Sequence, residues 1–284
     1  MKKVKLVYIL GGGRSGSTVL GILLGNREGV FYPGELFAWN RYKGVPSTAK
    51  KETREFWKKV GEHAGELTEY FEYDFYELME SYYSIRYFFK WWRDPKLFKD
   101  YWDSNACLFR ELGEISGAHT IVDSSHYALR AFWLSRDPRV DMRLIYLVRE
   151  PVRVVDAFLK KDIEQRYKHP LTANIYYSMA NFLSFLVYLC FPGDKKALVR
   201  FEDIIEKPGE VLSEISRRMG ITQGAPDVSD LKVGCLFEAN RIKNKKEIRL
   251  RREKKEIDLN FFWSFMTKLI QVPFYLLFGY PLWR

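Results

Sequence analysis

The stretch from Val4 to Leu24, which reads VKLVYILGGGRSGSTVLGILL, decides the fold. Val4–Leu10 is an apolar, β-branched run that predicts a buried strand. Ser17–Leu24 is apolar at helical spacing and is followed by Gly25 and Asn26, which commonly end a helix. Between them lies the glycine-rich loop Gly11–Thr18. Backbone N–H groups of such a loop and the positive end of the next helix converge on one point, which predicts an anion site.

The rest of the chain repeats the alternation of strands and helices. Strands are predicted at Ile121–Asp123, Arg143–Val148 and Lys196–Phe201, and helices at Tyr127–Ser135, from Pro151, at Ala173–Leu189 and at Gly209–Met219. Such alternation argues for a parallel sheet covered on both faces. We therefore predict an α/β protein with a P-loop nucleotide-binding-like, three-layer fold. Residues 1–284 show no internal repeat and no Pro- or Ser-rich linker, which favours a single domain.

The region from about residue 50 to 110 breaks the alternation. It is helical in character and dense in tyrosine and tryptophan, with Tyr76, Tyr82 and Tyr83 among them. We predict an inserted helical subdomain. Most of its rings are expected in the core, and some could line an acceptor groove, because aromatic faces suit flat sugar or phenol rings.

Composition limits the partners and the compartment. With 47% hydrophobic residues, the 284-residue chain can bury a substantial core, and 29% charged residues exclude a membrane channel. The net charge of +10 indicates an anionic partner: nucleic acid, an anionic lipid surface, or a phosphorylated or sulfated ligand. Three widely spaced cysteines favour a reducing compartment, and four scattered histidines form no metal-ligand pattern. We expect a cytoplasmic protein without a bound metal.

The loop resembles the nucleotide-binding pattern G-x-x-x-x-G-K-[ST] in part. Gly11, Gly16 and Thr18 fit this pattern, but Ser17 stands where kinases and ATPases need a lysine. Arg14 is the only cation inside the loop. This substitution disfavours a P-loop kinase-like phosphotransferase, which stays an alternative. A second alternative is a non-catalytic polyanion- or nucleic-acid-binding protein, since the net charge alone suits one.

Four ordered segments resemble the motifs of sulfotransferases that use 3′-phosphoadenosine 5′-phosphosulfate (PAPS), chiefly the tyrosylprotein and carbohydrate branches and their bacterial relatives. Arg14–Leu20 is similar to the loop that binds the 5′-phosphosulfate, and Leu147–Pro151 to the R-[DE]-P element that binds the 3′-phosphate. Val199–Ile204 and Ala239–Lys243 resemble two further elements, so the resemblance spans nearly the whole chain. It implies transfer of a sulfuryl group to an acceptor hydroxyl, with adenosine 3′,5′-bisphosphate as product and no nucleic-acid partner.

Three catalytic residues are expected. Glu35 follows the first helix, where the chain should return to the edge of the sheet beside the loop, and it resembles the family's general base in its distance from Arg14. The alternatives are an exposed loop carboxylate or an ion-pair partner for Arg41. The resemblance implies that Arg14 contacts the 5′-phosphate and the sulfuryl group. His126 stands where relatives often have a lysine that polarises the bridging oxygen, and a structural histidine is the alternative.

The resemblance also implies a set of donor-binding residues: Gly13, Arg14, Ser15, Gly16, Ser17, Thr18, Arg149, Lys161, Phe201 and Arg241. Arg149 is expected at the 3′-phosphate. Ala157 stands where the family usually has a serine, and Lys160 or Lys161 could compensate for it as point charges. Phe201 is either part of the adenine site or a core aromatic residue.

The C-terminal segment Phe261–Trp283 is strongly apolar, but Lys268, Gln271, Pro273 and Pro281 interrupt it. A spanning helix needs about 20 mainly apolar residues. We expect a final helix packed on the core, and a helix that lies on a membrane surface is the alternative. The chain is therefore expected in the cytoplasm, with possible peripheral membrane contact through this segment.

Overall fold

The computed structural model describes residues 3–48, 50–63, 65–160, 167–221, 230–239, 241–250 and 256–282, without the side chains of 65–68 and 241. Its centre is a sheet of five parallel strands in the order β2-β3-β1-β4-β5. The strands are β1 (Val4–Leu10), β2 (Val30–Gly34), β3 (Thr120–His126), β4 (Val140–Val148) and β5 (Lys196–Arg200). The expected α/β fold with a central parallel sheet is confirmed.

Helices cover both faces of the sheet, because the strands alternate their apolar side chains between two cores. In β1, Leu6 and Tyr8 pack into one core, whereas Val7 and Ile9 pack into the other. All four side chains are fully buried. A strand buried on both faces reads as a continuous apolar run, which is why Val4–Leu10 was recognisable in the sequence.

The helices follow the predicted pattern with small shifts at their ends. The α-helices are α1 (Ser17–Gly25), α2 (Phe37–Arg41), α3 (Lys51–His63), α4 (Phe88–Arg93), α5 (Pro95–Ser116), α6 (Ala128–Leu134), α7 (Pro151–Leu159), α8 (Pro170–Leu189), α9 (Phe201–Glu206), α10 (Pro208–Met219), α11 (Phe261–Ile270) and α12 (Val272–Phe278). Prolines at the first turn of α5, α7, α8 and α10 suit these starts, because the missing N–H has no partner there. The predicted strand Lys196–Phe201 ends one residue early, since Phe201 begins α9.

Short helical segments and a pair of short strands complete the fold. Short 3₁₀ and π segments, at Gly65–Glu72, Tyr76–Glu80, Ser84–Tyr87, Gly193–Lys195 and Arg241–Asn244, join the helices and strands. The strands β6 (Leu231–Lys232) and β7 (Glu247–Ile248) pair antiparallel, apart from the central sheet.

The predicted helical insertion lies between β2 and β3, with α3, α4 and α5 as its α-helices. A buried ion-pair network fastens it to the sheet. Arg130 of α6 donates from Nε to Asp123 Oδ2 at 3.0 Å and from Nη1 to Glu80 of the insertion. All three residues are at most 2% exposed. Removing one partner of such a buried pair leaves an uncompensated charge, so the network fixes the insertion against the end of β3.

The C-terminal segment forms two helices, not the single helix that was expected. α11 and α12 meet at Gln271 and are bent by 70°. Among the described residues, no single helix has the length and apolar character of a membrane span, and only this bent pair meets those criteria when joined.

Candidate functional site

The glycine-rich loop connects β1 to α1 at the carboxyl edge of the sheet. Gly16 has φ 98° and precedes the first residue of α1, so the helix begins without a side-chain cap. A Cβ on Gly16 would overlap the ring of Phe201, which makes glycine necessary there for space as well as for φ. The uncapped N–H groups at the start of α1 and the helix dipole therefore face the loop, as an anion site requires.

Beside the loop, the buried atoms Ser15 Oγ and Arg149 Nε have no hydrogen-bond partner among the described residues. Ser15 is 3% exposed. Arg149 follows β4, donates from Nη1 to the backbone oxygen of Arg14 at 3.0 Å, and holds its guanidinium 5.2 Å from the centre of the Phe201 ring. Burial lowers the pKa of Arg149, and the nearby Glu202 opposes this effect. Buried donors without acceptors are rare in proteins, so both atoms fit an anionic ligand.

Glu35 lies directly after β2 and lines the cavity beside the loop. Its position is fixed by backbone contacts: the Glu35 N–H donates to the backbone oxygen of Glu238 at 2.9 Å, and Gly34 forms a β-bridge with the same residue. Gly34 has φ 89°, and a Cβ there would overlap that oxygen. The guanidinium of Arg41 lies 4.5 Å from the centre of the Tyr76 ring.

His126 ends β3 and lines the same cavity. Burial lowers the pKa of its imidazole to about 4, and the nearby Asp123 opposes this shift. The ring is therefore neutral near pH 7. His126 has φ 57° and Arg14 has φ 69°, conformations that cost L-residues about 1 kcal/mol or more. Such strain concentrates at functional sites, and here both strained residues line the cavity.

A cavity of about 640 Å³ opens beside the loop. Charged or ionisable side chains on its wall include Arg14, Glu35, His126, Lys168, Glu238 and Lys243. Aromatic side chains form most of the remaining wall: Phe37, Tyr42, Tyr76, Tyr82, Tyr83, Tyr127, Phe158 and Tyr176. The cavity thus joins the glycine-rich loop to a chamber lined by aromatic rings.

The aromatic wall is tied to the loop through Tyr176. The Gly13 N–H donates to Tyr176 Oη at 3.0 Å, and the Tyr82 ring lies edge-on to the Tyr176 ring, with centroids 6.0 Å apart. The Tyr176 ring packs edge-on against Phe158, with centroids 5.3 Å apart. On the opposite wall, Lys243 Nζ donates to Glu238 Oε1 at 2.7 Å and to Ser47 Oγ at 2.9 Å.

No protein-family model and no curated protein matches the chain in sequence. Solved structures do match its fold. The sulfotransferase domain from the curacin biosynthetic pathway is 16% identical, with a TM-score of 0.59 and coverage of 99% of both chains. The sulfotransferase domain from the Synechococcus PCC 7002 olefin synthase is 18% identical, with a TM-score of 0.61 and coverage of 99% of this chain and 96% of that one.

The chain has the sulfotransferase fold. A sulfotransferase from Mycobacterium avium is also similar, at 11% identity and a TM-score of 0.50, over 99% of this chain and 78% of that one. The resemblance drawn from the four sequence motifs is therefore confirmed at the level of fold.

The sulfotransferase fold brings most of the predicted residues to one edge of the sheet. Gly13, Arg14, Ser17, Glu35 and His126 all line the cavity, and Arg149 and Phe201 adjoin the loop. Thr18 is 4% exposed. Lys161 and the side chain of Arg241 lie outside the described residues, and Lys160 pairs with Asp156 and Asp258.

Several residues of the wall were not predicted. Tyr127 directly follows β3, so its position after a strand could have indicated it. Tyr176 and Lys168 belong to α8 and its approach, where no local pattern distinguishes a cavity residue from a core residue. Glu238 became visible only through its bridge to Gly34, a contact between residues far apart in sequence.

Proposed function

We propose that the chain is a PAPS-dependent sulfotransferase that transfers a sulfuryl group to an acceptor hydroxyl. One observation carries the proposal: two anion-binding elements lie side by side at the ends of the paired strands β1 and β4, beside a cavity that contains a carboxylate. A donor with phosphates at both ends of its nucleoside would need two such elements. The sulfotransferase fold of the chain supports the same assignment.

The described residues suit such a donor. Ser15 Oγ and the N–H groups at the start of α1 would bind the 5′-phosphosulfate, and Arg149 would bind the 3′-phosphate as a charge-assisted donor. Phe201 packs between Gly16 and Arg149, so its ring is close enough to both elements to contribute to the adenine site. Lys161 and Arg241 remain expected donor-binding residues.

PAPS supplies an activated sulfuryl group on its 5′-phosphate. The acceptor oxygen forms a new bond to sulfur while the bond from sulfur to the phosphate oxygen breaks. Glu35 takes the acceptor proton as general base, and adenosine 3′,5′-bisphosphate leaves with the electron pair of the broken bond. Arg14 offsets the charge that develops on the leaving phosphate and the sulfuryl group.

His126 contributes to the same step as a hydrogen-bond donor to the leaving oxygen. A neutral imidazole keeps one N–H, so it can donate even though burial lowers its pKa to about 4. Bound phosphates would raise that pKa, because an opposite charge favours the protonated ring. His126 therefore replaces the lysine of many relatives without carrying a permanent charge.

The acceptor is a hydroxyl compound that fits an aromatic-lined chamber: a carbohydrate, a tyrosine, a lipid or a small molecule. Ring stacking favours flat sugar or phenol faces over flexible polar chains. We place the activity in the cytoplasm, the reducing compartment that the three cysteines favour.

Accurate-mass spectrometry tests the proposal. The protein is incubated with PAPS and a library of glycans, phenols and lipid alcohols, with ATP and Mg²⁺ as a parallel donor. We expect an acceptor heavier by one SO₃ group and formation of adenosine 3′,5′-bisphosphate. Product formed only with ATP would instead identify a phosphotransferase. Accurate mass distinguishes an added sulfuryl group from an added phosphoryl group.

A further inference from the structure

A continuous apolar stripe is exposed along α8. Its members are separated by three, four or seven residues and therefore lie on one side of the helix. Ile175 is 59% exposed and Phe182 is 56% exposed. The full set is Leu171, Ile175, Phe182, Leu186 and Leu189.

The neighbouring helix α11 extends this surface. Asn174 Nδ2 donates to Thr267 Oγ1 at 2.9 Å, and Ser178 Oγ donates to Gln271 Oε1 at 3.1 Å, so the two helices lie side by side. Phe261 is 87% exposed. The exposed members on α11 are Phe261, Phe262, Phe265 and Leu269, and together with the α8 stripe they form what we term the apolar face.

Charge is nearly absent from these helices. Lys268 is the only charged residue in α8, α11 and α12, in a chain of which 29% of the residues are charged. Extended exposed apolar surface of this kind marks an interaction site on most proteins. We therefore expect a binding partner to cover the apolar face when the protein functions.

Lysines lie at the ends of the apolar face. Lys168 precedes α8, and Lys196 lies at its other end, where its Nζ donates to the backbone oxygen of Tyr188 at 2.8 Å. Lys268 lies within α11 itself. A second copy of the chain would bring the same charge of +10 to the interface, whereas anionic lipid headgroups bring the opposite charge.

We propose that the protein docks on anionic membrane surfaces through the apolar face. The side chains of α8 and α11 enter the headgroup region, and the basic residues around them pair with lipid phosphates. α8 also contributes Tyr176 and Met179 to the cavity wall, so docking would set one wall of the cavity beside the lipid surface. This proposal is independent of the reaction that the cavity performs.

Vesicle co-sedimentation of the full chain tests it. Vesicles of phosphatidylcholine alone are compared with vesicles that contain about 30% phosphatidylglycerol, at low and high salt. The test variant is Phe182→Glu with Phe265→Glu. Its control is Phe89→Glu with Trp92→Glu on α4, which adds the same charge at side chains that are 68% and 80% exposed.

We expect salt-sensitive binding to the anionic vesicles, weakened at least about tenfold in the test variant and little changed in the control. Equal melting temperatures would show that both variants fold. No binding to anionic vesicles, equal binding to neutral ones, or equal loss in both variants would overturn the proposal. The proposal would also be overturned if the wild-type protein bound no vesicles but formed a dimer, and the substitutions of the test variant disrupted that dimer.

Discussion

The loop after β1 and the residues that end β3 lie on neighbouring strands at the same edge of the sheet. Their buried polar atoms differ in whether they have hydrogen-bond partners. At the end of β3, Asp123 Oδ1 accepts from the Ser125 N–H at 2.8 Å, and Oδ2 accepts from Arg130. Ser124 Oγ is 2.8 Å from Tyr32 Oη. Beside the loop, the atoms Ser15 Oγ and Arg149 Nε are also buried, but in the part of the chain that the structure describes they have no hydrogen-bond partner.

This difference distinguishes polar groups that stabilise the fold from polar groups that are available to bind a ligand. The end of β3 satisfies its carboxylate and hydroxyls internally, so it holds the fold together. The loop leaves donors ready for an anion, which costs stability when no ligand is bound. Substitutions of Asp123, Ser124 or Ser125 should therefore reduce stability, and substitutions beside the loop should reduce ligand binding or turnover.

The largest effect is expected for Glu35→Gln, which removes the proposed base but keeps the size and most contacts of the side chain. Turnover should fall by about 10²–10⁴-fold, because general base catalysis contributes that much. Affinity for adenosine 3′,5′-bisphosphate, measured by calorimetry, should not change. Turnover close to that of the wild type would remove Glu35 as the base.

Arg130→Met should reduce the free energy of unfolding by about 3–5 kcal/mol, because it leaves Asp123 and Glu80 buried without their cation. Urea denaturation measures this change. Arg136→Met, at an exposed position two residues after the end of α6, serves as control and should have little effect. A stability loss no larger than that of the control would mean that the network does not fasten the insertion.

His126 predicts a pH dependence of stability. Its pKa is lowered to about 4 in the folded protein, so the unfolded chain binds the proton more tightly. Stability contributed by the neutral ring is complete above about pH 6.5 and is lost as the pH falls towards 4, by up to about 3 kcal/mol. His126→Gln should reduce this acid sensitivity. Identical pH profiles of stability for both proteins would contradict the prediction.

Arg149→Gln should weaken the binding of adenosine 3′,5′-bisphosphate by about 10–100-fold, since hydrogen bonds to charged groups contribute about 1.5–3 kcal/mol. Stability should change little, because removal of a cation that burial disfavours offsets the loss of its hydrogen bond to the backbone oxygen of Arg14. Arg217→Gln, an exposed arginine that pairs with Glu214, is the control. Unchanged affinity would place the 3′-phosphate elsewhere.

The smallest effect is expected for Ser15→Ala. Affinity for the nucleotide should fall by roughly three- to tenfold, as loss of one hydrogen bond predicts, while the melting temperature stays the same or rises. A clear fall in melting temperature would mean that the Ser15 hydroxyl stabilises the empty loop.

Local sequence patterns predicted much of the fold and the loop. Val4–Leu10 and Arg143–Val148 were recognisable because strands buried on both faces form unbroken apolar runs. β2 was missed because Val30–Gly34 is short and contains Pro33, which disfavours a strand assignment. The bend between α11 and α12 was missed because Gln271, which forms hydrogen bonds with Asn174, looked in the sequence like a mere interruption of one helix.

Site residues could be predicted where they directly follow a strand. They could not be predicted where their position depends on contacts between residues far apart in the sequence. Arg14, Arg149 and His126 all come at or just after strand ends, so their meeting at one edge follows from parallel topology. Tyr176 reaches Gly13 across more than 160 residues of sequence, and no local pattern encodes such a contact.

Calorimetric titration with adenosine 3′,5′-bisphosphate and with adenosine 5′-monophosphate tests most directly whether the edge binds a nucleotide at both ends. We predict one saturable site for the bisphosphate and at least about tenfold weaker binding of the monophosphate, because the latter lacks the group that Arg149 would hold. Equal affinity for the two nucleotides, or binding only to ATP with Mg²⁺, would contradict the account.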